Sequence, residues 1–240
     1  MPHSLFISDL HLSETHPRTT EQFLRFLENV APQAEALYIL GDLFEYWAGD
    51  DDLDTPFHRR ICEALATLPA SCKLHIMHGN RDLLMADAFA ATCKASLLSD
   101  PTLINLYGQA TLLTHGDTLC TEDHAYLQFR AMVHNPEWQA QFLAQPLYQR
   151  KAIIGQMLLQ SSQSKQSKQM EIMDVSNDAV LELLRQYEFP RLIHGHTHRP
   201  AMHIHHADGH TCERWVLGDW DTQANALQID ETGIQQLKLS

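Results

Sequence analysis

Five short polar motifs, each directly after an apolar run of strand length, constrain this chain more than any other feature. They are Asp9-Leu10-His11, Gly41-Asp42, Gly79-Asn80-Arg81-Asp82, His115-Gly116-Asp117 and Gly195-His196-Thr197-His198. Open α/β sheets place their ligand sites at the carboxyl ends of strands. The motifs therefore predict a sheet whose strands end at one edge and bring their polar side chains together there.

The segments between the first motifs predict strands and helices in alternation. Residues 3–8, 36–40 and 73–77 are typical of buried strands, whereas residues 19–31 and 61–68 carry apolar side chains at helical spacing. Such alternation is typical of a layered α/β fold.

The later part of the chain has a different pattern. Residues 103–114 and 203–217 predict hairpins around Gly108 and Asp208-Gly209, and the last residues predict another strand. Residues 121–185 interrupt these strands with helical, glutamine-rich sequence. An insertion of this kind is typical of a lid.

Charge is unevenly distributed between the insertion and the rest of the chain. The whole chain has a net charge of −13, which argues against a duplex-binding protein because such proteins carry a basic footprint. Between His124 and Met170, however, five basic residues accompany one acid. We therefore expect the insertion to be the region that meets an anionic substrate.

Seven side chains in the motifs are potential metal donors. They comprise two carboxylates, four imidazoles and one amide: Asp9, Asp42, His11, His115, His196, His198 and Asn80. In extended backbone, the side chains of residues i and i+2 point the same way. We therefore expect Asp9 and His11 to reach one centre, and likewise His196 and His198. Seven donors exceed the needs of one transition metal but suit two ions that share a bridging carboxylate. Oxygen and imidazole donors without thiolate favour Mn, Fe or Zn, and paired ions are a common device for phosphoryl hydrolysis.

Each motif taken singly has a structural explanation. A DxH triplet occurs by chance, and Gly-Asp is common in turns. The order of all five motifs is the informative feature, because DxH, GD, GN, H and GHxH in succession resemble the calcineurin-like metallophosphoesterases from Asp9 to His198. The segments ISDLHLSE, YILGDLFEYWAGDDD, HGNRDLL, HGDTLCTEDHAYLQFR, EIMDV and LIHGHTHRPA narrow the resemblance to the pyrophosphohydrolases of lipid A biosynthesis.

This resemblance implies the fold and the activity. The fold would be one domain over residues 1–240, a four-layer α/β/β/α sandwich with a helical cap at 121–185. The activity would be hydrolysis of an acid anhydride: Mn²⁺-dependent cleavage of the diphosphate of UDP-2,3-diacylglucosamine to UMP and 2,3-diacylglucosamine 1-phosphate (lipid X).

The resemblance also implies the metal ligands, with two Mn²⁺ per chain. Asp9, His11 and His198 would hold one ion, Asn80, His115 and His196 the second, and Asp42 would bridge them. The catalytic residues would be Asp42, Asn80, Arg81 and His196, and the substrate contacts would come from Asn80, Arg81, Asp123, Ser161, Lys165, Lys168 and His196.

Arg81 departs from the wider superfamily, most members of which have histidine after the asparagine of the GN motif. A histidine there can protonate a leaving group, whereas a guanidinium clamps a phosphate bidentately. UMP and a sugar phosphate leave readily without a proton donor. The substitution therefore favours a diphosphate substrate over a phosphomonoester or phosphoprotein.

For other residues of the insertion and of the last hairpin, the sequence is compatible with more than one role. Ordinary solvated charge also explains Lys165 and Lys168. An acyl-chain cleft, a membrane-facing surface or a helix core each explain Trp138, Phe142, Leu143, Leu147 and Tyr148. For His203, His205, His206 and His210 we expect an outer hairpin with no metal.

The lipid substrate implies peripheral association with the cytoplasmic face of the inner membrane. The chain opens without a signal-peptide pattern, and no apolar run approaches the length of a membrane span. We expect a monomer and no nucleic-acid partner. Two alternatives remain open: a non-catalytic scaffold of the same fold, and a hydrolase of soluble nucleotide diphosphates such as UDP-sugars.

Overall fold

The computed structural model describes residues 1–167 and 174–239, with backbone alone for residues 162–167. One sheet has six strands in the order β11-β10-β1-β2-β3-β4. Its strands are β1 (Ser4–Ile7), β2 (Ala36–Leu40), β3 (Lys73–Met77), β4 (Ser96–Leu98), β10 (Asn225–Asp230) and β11 (Gly233–Lys238). The strands β1 to β4 run parallel, so their carboxyl ends share one edge of the sheet.

The second sheet has five strands in the order β5-β6-β7-β9-β8. They are β5 (Thr102–Leu106), β6 (Gln109–Thr114), β7 (Arg191–His194), β8 (Ala201–Ala207) and β9 (His210–Val216). The hairpins predicted around Gly108 and Asp208-Gly209 are confirmed as the antiparallel pairs β5–β6 and β8–β9. The strands β6 and β7 are parallel neighbours.

Seven helices surround the sheets among the described residues. They are α1 (Pro17–Asn29), α2 (Pro56–Ala66), α3 (Asp87–Cys93), α4 (His124–Val133), α5 (Pro136–Leu143), α6 (Leu147–Ser167) and α7 (Asn177–Gln186). No helix in the described part of the chain combines the length and the apolar character that a bilayer crossing requires.

Side-chain alternation along the strands creates the layers. Leu5 and Ile7 of β1 pack with α1, α2 and α3, whereas Phe6 points the other way and packs with Leu113 and Ile193 of the second sheet. The outer face of the second sheet is covered by α7. The predicted four-layer α/β/β/α sandwich is therefore confirmed.

The prediction of individual elements was accurate where the local signal was strong. The strands predicted at 36–40 and 73–77 match β2 and β3. The helix predicted at 19–31 begins earlier, with Pro17 in its first turn, because proline already has a helical φ and lacks the N–H that a first turn leaves unpaired. No sequence pattern predicted α3, β4 or β10. The strand β10 pairs antiparallel with β1 although the two lie near opposite ends of the chain.

Candidate metal centre

All five motifs lie at the carboxyl ends of parallel strands. Five of the seven potential metal donors, however, are not in extended backbone. Asp9, His11, Asp42, His196 and His198 have φ angles between 48° and 67°. This left-handed region is uncommon for non-glycine residues and costs about 1 kcal/mol or more each. The prediction that i and i+2 alternation aims these side chains is wrong, since tight turns after the strands aim them instead.

Backbone hydrogen bonds fix the first two of these turns against each other. The Asp9 N–H donates to the Gly41 carbonyl at 3.1 Å, and the His11 N–H donates to the Asp42 carbonyl at 3.0 Å. The pairing of β1 with β2 thus continues past the ends of both strands. It holds the DxH and GD motifs in one rigid unit, which offsets the backbone strain.

Two glycines permit the close approach of the loops. A Cβ atom at Gly79 would overlap the Asp42 carboxylate, and one at Gly195 would overlap the Asp9 carboxylate. Only glycine leaves room for these carboxylates, which explains the glycine in both the GN and the GHTH motifs.

A first group of donors consists of Asp9, His11 and His198, whose ligand atoms lie within 4.8 Å of one another. His198 Nε2 is 3.4 Å from Asp9 Oδ1 and 3.4 Å from His11 Nε2. Two ligands of one ion at about 2.1 Å lie roughly 3.0–3.5 Å apart, so these spacings fit a shared cation.

A second group consists of Asp9, Asp42 and His115 within the same 4.8 Å limit. Asn80 Oδ1 lies 3.2 Å from His115 Nε2, which adds the amide oxygen to this group. Asp42 Oδ2 is 3.9 Å from His115 Nε2 and 3.8 Å from His11 Nε2. The Asp42 carboxylate of the second group therefore also lies close to His11 of the first group.

His196 lies beside both groups and belongs to neither of them. Its backbone N–H donates to Asp9 Oδ2 at 2.9 Å, and its ring lies edge-on to that of His115 with centroids 5.0 Å apart. Burial lowers the pKa of His196 to about 4, so its imidazole is neutral. A neutral imidazole has the lone pair that a metal ligand requires.

The buried carboxylates give the centre a negative potential that favours bound cations. Asp9 Oδ1 is buried and has no hydrogen-bond partner. Burial lowers the pKa of His115, but Asp42, Asp117 and Asp9 together raise it to about 9. Similarly, burial lowers the pKa of His198, and Asp219 and Asp9 raise it to about 10. Buried carboxylates with an orphaned oxygen, among imidazoles that hold protons, fit a site for divalent cations.

Two further acids support the centre, and the sequence assigned neither of them a role. Asp82 is fully buried and accepts hydrogen bonds from Gly79 N and Leu43 N, each at 2.8 Å. It therefore ties the GN loop to the GD loop. Burial and the nearby Asp42 raise the pKa of Asp82 to about 6.

Asp117 connects the centre to α4. Its Oδ2 accepts a hydrogen bond from the Tyr126 hydroxyl and another from Arg130 Nε at 2.7 Å. Tyr126 in turn lies 5.7 Å, centroid to centroid, from the His196 ring. The helix that follows the HGD motif is therefore anchored directly beside the donors.

Arg81 stands at the rim of the donor groups. Its backbone N–H donates to Asp42 Oδ1 at 2.9 Å, and its guanidinium Nη1 is 3.5 Å from Glu45 Oε1. The other Glu45 oxygen lies 3.2 Å from His11 Nδ1. Glu45 thus links the candidate phosphate clamp to a candidate metal ligand, a role that the sequence did not assign to it.

A cavity of about 490 Å³ extends from the donors to the underside of α4, α5 and α6. Its polar end contains His11, Asp42, Asn80, His196 and His198. Its other end is apolar and is lined by Leu83, Leu84, Phe129, Val133, Trp138, Phe142, Ile154, Met157 and Leu158. The cavity suits a molecule with an anionic head and a long apolar part.

The structure brings most of the predicted substrate contacts to this cavity. Asn80, Arg81, Asp123, Ser161 and His196 line it. The side chain of Lys165 and the whole of Lys168 lie outside the described residues. Asp123 also caps α4 by accepting from the Tyr126 N–H at 3.1 Å.

The structure also gives positions for the aromatic and aliphatic residues of the insertion and for the histidines of the last hairpin. Trp138 and Phe142 line the cavity, whereas Leu143 is 41% and Tyr148 71% exposed. The histidines of the last hairpin, His203, His205, His206 and His210, lie on β8 and β9, which confirms the hairpin.

Three basic residues of the insertion face acids of the sandwich. Arg130 pairs with Asp117, Arg150 with Asp51, and Lys151 Nζ with Asp52 Oδ1 at 2.6 Å. Arg150 is only 2% exposed. These three cations therefore anchor the insertion to the sandwich.

Comparisons with known proteins give matches over most of the chain. The profile of the calcineurin-like phosphoesterase family matches residues 3–200. A protein of Aromatoleum aromaticum named "UDP-2,3-diacylglucosamine hydrolase" is 51% identical over 96% of this chain and 94% of its own length. Proteins with the same name from Chromobacterium violaceum and Edwardsiella ictaluri are 48% and 47% identical, each over 98% of this chain and over 98% and 92% of their own lengths.

Proposed function

The chain belongs to the calcineurin-like phosphoesterase family and is a hydrolase, and from this premise we propose that its substrate is UDP-2,3-diacylglucosamine. Water adds to one phosphorus of the diphosphate, and the bond to the bridging oxygen breaks. The products are UMP and 2,3-diacylglucosamine 1-phosphate. The names of the close relatives support this substrate.

The two-ended cavity is the observation that carries the proposal. A diphosphate needs cations and polar donors, and acyl chains need an apolar surface from which water is excluded. The cavity offers both within one continuous space, with the donors at one end and side chains of α4, α5 and α6 at the other. A soluble nucleotide diphosphate would leave the apolar end without a function.

The metal centre of the proposal contains two Mn²⁺ ions. Asp9, His11 and His198 would hold one, and Asn80, His115 and His196 the other, with Asp42 between them. Such ions activate water and neutralise charge that develops on phosphoryl oxygens. The short spacings among Asp9, His11 and His198, and between Asn80 and His115, support this assignment, and the neutral imidazole of His196 beside His115 is consistent with it.

The remaining polar residues would bind and orient the diphosphate. The Arg81 guanidinium faces the cavity and can donate two parallel hydrogen bonds to one phosphate. Asp123 and Ser161 line the same space and would contact the nucleotide or the sugar, together with Lys165 and Lys168. The proposal also includes attack by water at the uridine-side phosphorus. The family resemblance is the sole basis for this choice of phosphorus atom.

The helices of residues 121–185 would form the cap over this site, as a part of one domain spanning residues 1–240. The lipid substrate would bring the protein, as a monomer, to the cytoplasmic face of the inner membrane. Exposed apolar side chains on the cap, such as Tyr148 and Leu143, support contact with a lipid surface.

A comparison of two substrates tests the function. In the presence of Mn²⁺, we expect kcat/KM for UDP-2,3-diacylglucosamine to exceed that for the non-acylated UDP-N-acetylglucosamine by at least about 10²-fold, because only the first fills the apolar end. Equal values would overturn the lipid assignment and favour a soluble nucleotide substrate. A lack of turnover of any activated phosphodiester would favour a scaffold.

A further inference from the structure

Asp219 contacts the candidate metal centre from outside all five motifs. It follows β9, beyond the residues that the family profile matches. Its Oδ2 lies 2.9 Å from His198 Nδ1. The other ring nitrogen of His198, Nε2, faces Asp9 Oδ1 and His11 Nε2, each at 3.4 Å. The imidazole therefore connects Asp219 to the first donor group.

The carboxylate of Asp219 is held in position from several sides. Its Oδ1 accepts the Asp221 N–H at 3.2 Å, and its backbone carbonyl accepts a hydrogen bond from Asn225 Nδ2 at 2.7 Å. The next residue, Trp220, is fully buried and packs edge-on against Phe23 and Phe26 of α1. The core of the sandwich thus fixes the point from which Asp219 reaches His198.

The chemistry of a histidine ligand gives this contact a role. An imidazole binds a metal through one nitrogen while the other carries a proton, and a carboxylate that accepts this proton selects the tautomer and fixes the ring orientation. We infer that Asp219 is a positioning residue for His198. It accepts the Nδ1 proton, so that Nε2 presents its lone pair to a divalent cation shared with Asp9 and His11. The inference rests on the metal centre of the proposed function.

Mn²⁺ titration of the full chain by calorimetry tests the role directly, without an activity assay. We expect the Mn²⁺ dissociation constant of Asp219→Ala to be about tenfold higher than that of the native protein. Asp219→Asn keeps an oxygen that can accept the Nδ1 proton, so its affinity should recover most of this loss. Asp221→Ala removes an exposed carboxylate two residues away and serves as the matched control with native affinity.

A kinetic measurement separates positioning from general damage. In Asp219→Ala the Mn²⁺ concentration for half-maximal activity should rise about tenfold, whereas kcat at saturating Mn²⁺ should stay within a few fold of the native value. Thermal unfolding of the metal-free variants shows whether each is folded. If Asp219→Ala does not fold, the affinity of Asp219→Asn relative to Asp219→Leu decides the question.

The outcomes distinguish this inference from the proposed function. A native protein that binds no Mn²⁺ would remove the metal centre and with it the premise. A native protein that binds Mn²⁺, together with an Asp219→Ala variant whose affinity lies within twofold, would overturn the role of Asp219 and leave the function intact.

Discussion

At the residue scale, the candidate site depends on residues that adopt an unfavourable backbone conformation. Five predicted site residues have left-handed φ angles, and aspartate and histidine tolerate this region better than most residues. The hydrogen bonds between the DxH and GD turns stabilise that conformation. The strain that these turns carry is typical of a site whose geometry is fixed before a ligand binds.

Arg81 gives the first prediction at this scale. Its guanidinium faces the cavity beside Glu45 and the donors. If Arg81 is the proposed phosphate clamp, Arg81→Ala should lower kcat/KM for the lipid nucleotide by roughly 10²-fold because it would remove a charge that stabilises the transition state. Arg81→Lys should recover only part of this loss, since an ammonium cannot donate in a bidentate fork. Steady-state kinetics check both, and a fully active Arg81→Lys would contradict the clamp.

At the element scale, one buried cation holds α6 against the sandwich. Arg150 donates from Nε to the Gln145 carbonyl at 3.0 Å and from its terminal nitrogens to the Ala48 carbonyl and to Asp51. Lys151 pairs with the buried Asp52 alongside it. The roof of the cavity is therefore attached to the loop before α2 by oriented hydrogen bonds as well as by apolar contact.

Removal of this anchor should destabilise the protein. We expect Arg150→Met to lower the free energy of unfolding by about 2 kcal/mol, because the buried Ala48 carbonyl loses its donor. The control is Arg59→Met, whose pair with Asp54 is exposed and should contribute less than about 0.5 kcal/mol. Denaturant titration measures both, and equal losses would show that the buried anchor contributes no more than a surface pair.

The apolar half of the cavity gives a second prediction for α6. Met157 lines the cavity, and Met157→Trp should fill part of it. We expect kcat/KM for the diacylated substrate to fall at least tenfold (about 1.4 kcal/mol), with little change for a non-acylated phosphodiester. Gln156→Trp places the same bulk on the exposed side of the helix and should alter neither value. A parallel loss with both substrates would contradict the assignment of this end to acyl chains.

At the scale of the whole molecule, the two sheets enclose polar groups that a smaller fold would leave in water. His194 at the end of β7 is fully buried. Arg214 Nη1 donates to its Nε2 at 3.0 Å, so the proton lies on Nδ1 and is donated to the Gly195 carbonyl at 2.9 Å. Burial and Arg214 lower the pKa of His194 to about 3.

This histidine predicts how global stability depends on pH. The unfolded chain protonates this imidazole below about pH 6.5, whereas the folded chain keeps it neutral down to about pH 3, so the unfolded state binds the extra proton and stability falls with pH in that window. Between pH 7.5 and 5.5, the metal-free native protein should lose about 1.4 kcal/mol more than His194→Gln. Above pH 7.5 the two should run parallel, and identical slopes throughout would contradict the neutral buried state.

The sequence by itself determined the ends of the strands and the identity of the donors. Buried parallel strands are continuous apolar runs, and the polar residues that follow them in order are recognisable without coordinates. The GD, GN and GHTH motifs were therefore predictable, as were the two hairpins and the four-layer fold that the family resemblance implied.

Only the tertiary structure decided how those donors converge and what surrounds them. Glu45, Asp82 and Asp219 support the centre although the sequence assigned them no role, because the contacts that show it are made between loops that are distant in sequence. Three of the five basic residues of the insertion, Arg130, Arg150 and Lys151, pair with acids of the sandwich, which the sequence pattern did not reveal. Side-chain type is a local property of the sequence, whereas the pairing of charges and the shape of a cavity depend on which segments the fold brings together.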